Sequence, residues 1–176
     1  MSSTAEDFEA WVRRARPGLL RTAVLLCGGD HGRAEDAVQE TLVKVAERWR
    51  SIVRGGDPTP YARTVLYRLT VDDWRRRARR AETLGEVPDR PIQRDETSAS
   101  DEALVLLEAL GRLTPRQRAV LVLRFYEDLT ERQAAVALGC SVNTIKSQSR
   151  HAIERLKVLA PELIDALAPS ETGSTS

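Results

Sequence analysis

Asn143, Lys146, Ser147 and Arg150 recur at i, i+3, i+4 and i+7, the spacing that gathers side chains on one face of a helix. Amide, ammonium, hydroxyl and guanidinium groups on one face can reach base edges and meet phosphates, and no carboxylate interrupts this face before Glu154. Val142, Ile145, Ala152, Ile153 and Leu156 fall on the opposite side and give the helix a core to lie on. The preceding segment offers Ala134, Ala135 and Leu138 and then a Gly139-Cys140-Ser141 turn, so residues 129–156 read as a helix-turn-helix. The plain alternative is a solvated amphipathic helix in a bundle, with Gly139 a simple terminator. His151 has no partner at metal-ligand spacing and is expected on the surface beside a phosphate backbone.

A second concentration of donors is Trp74 followed by Arg75, Arg76, Arg77, Arg79 and Arg80. Tyr61, Tyr67 and Trp74 share the same expected helix, and aromatic rings beside guanidiniums suit stacking on single-stranded nucleic acid. Against this stands a solvated charge run with Tyr61 or Trp74 in the core. Upstream, Ala34, Ala37, Val38, Thr41, Leu42, Val45, Ala46 and Trp49 follow helical spacing and leave Glu35, Asp36, Gln39, Glu40 and Glu47 outside. That helix has one core face and one acidic face.

These groups must be held by a chain of 176 residues that is 41% hydrophobic, enough for one medium domain or two small ones with modest cores. Lys+Arg number 27 and Asp+Glu 26, so any affinity for a polyanion must come from segregation of charge along the chain. The only lysines are Lys44, Lys146 and Lys157; the arginine excess suits phosphate and base recognition and equally suits a GC-rich genome. Cys27 and Cys140 lie far apart without ligand spacing, which argues against a zinc site or a disulfide framework and for a reducing compartment. No apolar run approaches the roughly 18 residues a bilayer requires, so a soluble, cytoplasmic protein without a membrane segment is expected. Neither a nucleophile–base pair nor a phosphate loop nor a ligand cluster is visible, so no catalytic residue, metal or cofactor is expected.

Strand signals are nearly absent and helical periodicity recurs throughout, so the fold is expected to be all-α. A first helix continues past Pro17 with Leu19, Leu20, Ala23, Val24 and Cys27 on one stripe, and Gly28 and Gly29 stop it. Residues 51–60 carry Gly55, Gly56, Pro58 and Pro60 and read as a loop leading into a helix start. Composition shifts to proline, serine and acidic residues over 82–100, the mark of a linker. Thr114-Pro115-Arg116-Gln117 and Thr130-Glu131-Arg132-Gln133 both have capping-box spacing. The expected organisation is two small helical domains joined by a flexible linker: 1–81, the linker 82–100, a helix-turn-helix domain over 101–160, and a tail over 161–176.

Taken in order, these segments resemble the extracytoplasmic-function (group IV) sigma factors of bacterial RNA polymerase, over about residues 5–160. The specific parts are Ala34-Glu35-Asp36-Ala37-Val38-Gln39-Glu40-Thr41, similar to the family's core-polymerase-binding helix, and Val65-Leu66-Tyr67-Arg68-Leu69, similar to the helix that reads the −10 element. Leu113-Thr114-Pro115-Arg116-Gln117-Arg118 opens the C-terminal domain in the same way. The resemblance implies a transcription initiation factor from an actinobacterium, not an enzyme, with core RNA polymerase (the β′ clamp helices and the β flap) and promoter DNA as partners; it also admits an anti-sigma factor. It implies that Asp36, Gln39 and Glu40 dock on polymerase. Tyr61, Arg68, Asp72, Trp74, Arg75 and Arg76 would serve the −10 element, and the loop from Ser51 to Pro60 would help hold an extruded base. Asn143, Thr144, Lys146, Ser147, Arg150 and His151 would serve the −35 element.

Thr70 and Asp72 stand where many members have alanine and asparagine. Asp72 then either accepts from an exocyclic amino group or only pairs with Arg68 or Arg76 at i±4. A one-component helix-turn-helix regulator is the rival reading, and it would need a ligand pocket or a dimer element.

Overall fold

The computed structural model describes residues 4–84 and 100–161. Every regular element among them is helical: α1 (Thr4–Leu26), α2 (His31–Glu47), α3 (Trp49–Arg54), α4 (Thr59–Leu84), α5 (Asp101–Gly111), α6 (Pro115–Leu121), a π-helical turn (Val122–Tyr126), α7 (Glu131–Leu138) and α8 (Val142–Leu159). The linker expected over 82–100 is shortened at its start, because α4 runs on to Leu84; residues 85–99 and the tail from 162 lie outside the described residues. Ser51 to Arg54, read from sequence as loop, form the end of short helix α3, anchored by buried Trp49.

Local chemistry explains where the helices begin. Asp30 accepts the Arg33 amide at 3.0 Å to cap α2, and Ser100 caps α5 through the Ala103 amide. Both capping boxes form: Thr114 and Gln117 exchange side-chain-to-backbone bonds at the start of α6, as do Thr130 and Gln133 at the start of α7. Pro17 lies inside α1 without ending it.

Three clusters make up the core. In the first half, Trp11, Leu19, Ala23, Val38, Val45, Trp49, Ala62 and Leu66 bury the stripes of α1, α2 and α4, and Phe8, Trp11 and Trp49 stack with centroids 5.1–6.0 Å apart. Ala46, expected in this stripe, is exposed. In the second half, Leu110, Leu113, Leu121, Ala152 and Leu156 pack α5 and α6 against α8. The remaining cluster belongs to both halves, with Leu26, Tyr67 and Val71 packed among Ala119, Val120, Leu123, Ala134, Leu138 and Ile145. Two domains with separate cores were expected; the hydrophobic faces of α1 and α4 extend beyond the first core and are covered by the second half.

Polar groups fix this junction. Arg118, 7% exposed, donates from Nε to the Leu26 carbonyl at 2.9 Å and from Nη1 to the Leu110 carbonyl at 3.1 Å. These carbonyls end α1 and α5, where the last turn lacks intrahelical donors and carries the negative end of the helix dipole. Burial pulls the guanidinium down to about 10, which still leaves it charged at neutral pH. Gly28, at φ +65°, lies directly under it, and a Cβ there would collide with Nη1. Glu127, whose side chain is 2% exposed, accepts from the Thr22 hydroxyl, from the Tyr67 phenol at 2.8 Å and from Arg63 at 3.0 Å.

Arg118→Met keeps most of the volume and removes the charged donor shared by the two helix ends; the Leu26 carbonyl loses its donor, while the Leu110 carbonyl keeps the Leu113 amide at 3.2 Å. The expected cost is about 2–4 kcal/mol. Urea unfolding checks this, and a change below about 0.5 kcal/mol would show that the guanidinium is not what joins the halves.

Candidate functional site

The turn into α8 is built from Gly139, which takes a left-handed conformation (φ 62°) to end α7, and Ser141, which caps α8 by accepting the Thr144 amide at 3.1 Å. Ile145 and Ala152 are fully buried, so the opposite face of α8 must point outward. On it Asn143, Lys146, Arg150 and His151 are exposed. Arg150 has no ion pair among the described residues, whereas Lys146 Nζ lies 3.8 Å from the Glu131 carboxylate. Thr144 and Ser147 are half-buried and locally occupied: the Thr144 hydroxyl lies 2.9 Å from Ser141 Oγ, and Ser147 donates to the Thr144 carbonyl at 3.1 Å.

The α4 residues do not form one surface. Arg68, Asp72 and Arg76 are exposed at i, i+4 and i+8. Tyr61 is half-buried against the first core, and Tyr67, read from sequence with the stacking aromatics, is buried on Glu127. Burial, the hydrogen bond to Glu127 and its charge raise the phenol above its ordinary value, so it remains a donor. Trp74 is half-buried, and Arg75, 5.9 Å from its ring, donates to the Leu138 carbonyl at 3.2 Å. Trp74 and Arg75 therefore face the second half rather than the face of Arg68. The ion pair of Asp72 is with Arg75 at i+3, 4.0 Å away, and not with Arg68 or Arg76.

Asp73 is the carboxylate with structural work, a role the sequence reading missed. It meets Arg33 of α2 at 2.5 Å, Arg77 at 3.1 Å and Arg76 at 3.9 Å, and so ties α2 to α4. Burial alone would raise it, but the Arg33 hydrogen bond and the charges of Arg33 and Arg77 hold it below the usual carboxylate range.

On α2, Asp36, Gln39 and Glu40 are exposed, with Glu40 3.6 Å from Lys44. Val43, 57% exposed on the same side, adds an apolar contact to the acidic face. Its spacing of three and four residues from Glu40 and Gln39 was the available signal. The Cys27 thiol is pushed up to about 11 by burial, and neither cysteine is in a disulfide. Among the described residues no group of His, Cys, Asp or Glu could hold a metal ion, and no helix is long and apolar enough to cross a membrane.

Two family models match the chain: sigma-70 region 2 over residues 6–80 and sigma-70 region 4 over residues 103–156. The RNA polymerase sigma-E factor of Streptomyces avermitilis is 34% identical over 151 residues, covering 86% of this chain and 83% of that protein. The ECF RNA polymerase sigma factor SigL of Mycobacterium tuberculosis is 33% identical over 77% of this chain and 78% of its own length. Among solved structures, the sigma factor RpoE of Bartonella quintana, crystallised with the anti-sigma factor NepR, superposes with a TM-score of 0.67 at 27% identity; the match covers 89% of this chain and 98% of that one.

Asp73 gives the fold an acid-sensitive tie. Its folded pKa is depressed, so its contribution is full above the unfolded value of about 4 and is lost as pH falls through the folded value. Unfolding of Asp73→Asn should show a smaller loss of stability between pH 6 and pH 3 than the parent. Parallel pH profiles would remove Asp73 from that role.

Proposed function

The chain belongs to the extracytoplasmic-function branch of RNA polymerase sigma factors, and from that premise we propose how its own residues divide the work of a sigma factor. Such a protein binds core RNA polymerase and directs initiation at promoters carrying its −35 and −10 elements; it is not an enzyme. The rival one-component regulator is set aside by the match to both sigma regions. The observation that carries the division is that one chain joins an exposed acidic face on α2 to an exposed cationic face on α8.

Residues 1–81 form the polymerase-binding and −10-reading unit in this account, and 101–160 form the −35-reading unit. Asp36, Gln39 and Glu40 dock on the β′ clamp helices, with Val43 as the apolar centre of the contact, since a docking surface gains most from desolvated apolar area ringed by polar groups. Arg150 and Asn143 reach base edges of the −35 element; Lys146 and His151 meet phosphate. Thr144 and Ser147 position that face from the turn, because their hydroxyls are already engaged.

Arg68, Asp72 and Arg76 line the path of the −10 strand. Trp74 and Arg75 join it only when the halves separate, since Arg75 now holds the end of α7. Tyr61 supports that path from the core, beside the loop that leads into α4. The second half contributes the contact to the β flap, and an anti-sigma factor of the kind crystallised with the Bartonella relative is a further partner class. Working on RNA polymerase places the protein in the cytoplasm.

Asp36→Arg combined with Glu40→Arg should abolish core-polymerase binding while stability changes by no more than about 0.5 kcal/mol per site. Native binding by the folded double variant, measured by co-elution with core enzyme, would refute the docking assignment.

For the −35 face, Lys146→Ala should weaken promoter binding across sequences and reduce the salt slope by about one. Arg150→Ala should cost roughly 1–3 kcal/mol at one base position. Holoenzyme competition assays at several salt concentrations check both, and unchanged −35 discrimination in the Lys146→Ala/Arg150→Ala pair would sink the assignment.

A further inference from the structure

Where the two halves meet, a cleft of about 420 Å³ opens between the end of α1, the side of α4 and the start of α6. Arg33, Arg77, Arg116 and Arg118 line it, with Asp30 the only carboxylate in the lining. Asp73, behind Arg33 and Arg77, is the second carboxylate close by. Four guanidiniums against two carboxylates leave two positive charges, and the carbonyl ends of α1 and α5 offset only part of that through Arg118. Arg116 has no ion pair among the described residues.

Among the described residues two donors at the cleft have no acceptor: Arg33 Nε and Trp74 Nε1 are both buried and unpartnered, and both residues line this space. A buried N–H left unmade is costly, and native structures keep few such groups without a reason. Both residues border one cationic space, and because neither N–H is open to solvent in the packed arrangement, one anion answers both once the Arg33 and Trp74 side chains turn toward it.

We propose that this junctional cleft binds the phosphoryl or pyrophosphoryl group of a small phosphorylated molecule. The donors come from three elements, α2, α4 and α6, and so approach from several directions. A tetrahedral phosphoryl group accepts on several oxygens at once, whereas a planar carboxylate is matched by a single guanidinium fork. Its dianionic charge also balances the two uncompensated cations. The volume is that of a site for a small ligand, and a nucleic-acid duplex cannot enter it. Because both halves supply donors, the ligand belongs to the packed arrangement and stabilises it.

The test titrates inorganic pyrophosphate into the full chain at fixed ionic strength, read by calorimetry and by thermal melting. Saturable binding is expected, with a rise of about 3–6 °C in melting temperature at ten times the dissociation constant. Trp74→Phe, which keeps an aromatic ring and removes the N–H, and Arg116→Ala, at an exposed position, should each weaken binding at least ten-fold; Arg132→Ala on α7 should leave it unchanged. Absence of saturable binding, or equal affinity in Arg116→Ala, overturns the proposal even where Trp74→Phe disturbs packing. A second arm uses a single-stranded oligothymidine. If that strand binds with the same dependence on Trp74 and Arg116 while pyrophosphate does not bind, the phosphate belongs to nucleic acid and the small-molecule site is refuted. Neither arm needs polymerase, so the outcome is independent of how the sigma-factor roles are divided.

Discussion

A buried guanidinium without a carboxylate is the interaction on which the arrangement of this chain depends. An isolated ion taken out of water costs several kcal/mol. Arg118 avoids much of that cost because two helices, α1 and α5, end on it with carbonyls at the negative end of their dipoles. Since α1 lies in the first half and α5 in the second, the charge is satisfied only while the halves stay in register. Gly28 permits the approach, in a left-handed conformation that costs glycine little. Glu127 repeats the device with the opposite sign, its carboxylate answered by Thr22, Tyr67 and Arg63 of the first half. The second half thus lends one buried cation and one buried anion; the first half answers the anion with three donors and the cation with one of its two carbonyls.

This junction combines two buried charged groups with an apolar cluster shared by both halves. Hydrogen bonds to charged groups contribute about 1.5–3 kcal/mol each, whereas a nanomolar protein complex supplies about 12 kcal/mol. If the α2 face docks on polymerase as proposed, that docking is coupled to release of Arg75 from Leu138 and to separation of the shared core. In the packed state Arg68 and Asp72 are exposed, Trp74 is half-buried, and Arg75, itself exposed, donates to the Leu138 carbonyl. Under the proposed division of roles, promoter reading and the closed junction compete for Trp74 and Arg75.

How much of this was legible in the sequence follows from the range of each interaction. The two capping boxes and the Gly139-Cys140-Ser141 turn are settled within four residues, so residue type and spacing revealed them. The exposed face of α8 was legible because its buried stripe is local to the helix. What could not be read were contacts between distant residues: Tyr67 meets Glu127 across 60 positions and Arg118 meets Leu26 across 92. A tyrosine beside arginines has the same local signature whether it stacks on a base or donates to a buried carboxylate. Short helix α3 was hidden by the glycines and prolines just after it, while its anchor, Trp49, had already been read as core.

The adjacent aspartates of α4 show how one helical step divides structure from recognition. Successive residues are rotated by about 100°, so Asp73 turns to α2 and is held by Arg33, while Asp72 turns to solvent with its side chain 64% exposed. The contact of Asp72 with Arg75 at 4.0 Å is the kind of exposed ion pair that contributes little. It is also the contact most readily given up, because Arg75 is bonded to Leu138 in the packed state and is free to meet phosphate once the halves part. A structural duty for Asp72 is thereby weakened. If the −10 strand runs along this face as proposed, the Asp72 carboxylate, which only accepts, meets it between Arg68 and Arg76, whose charges screen it from phosphate repulsion. Under the proposed division of roles, the group suited to that position is an exocyclic amino donor such as cytosine N4, and that geometry favours base contact over pairing.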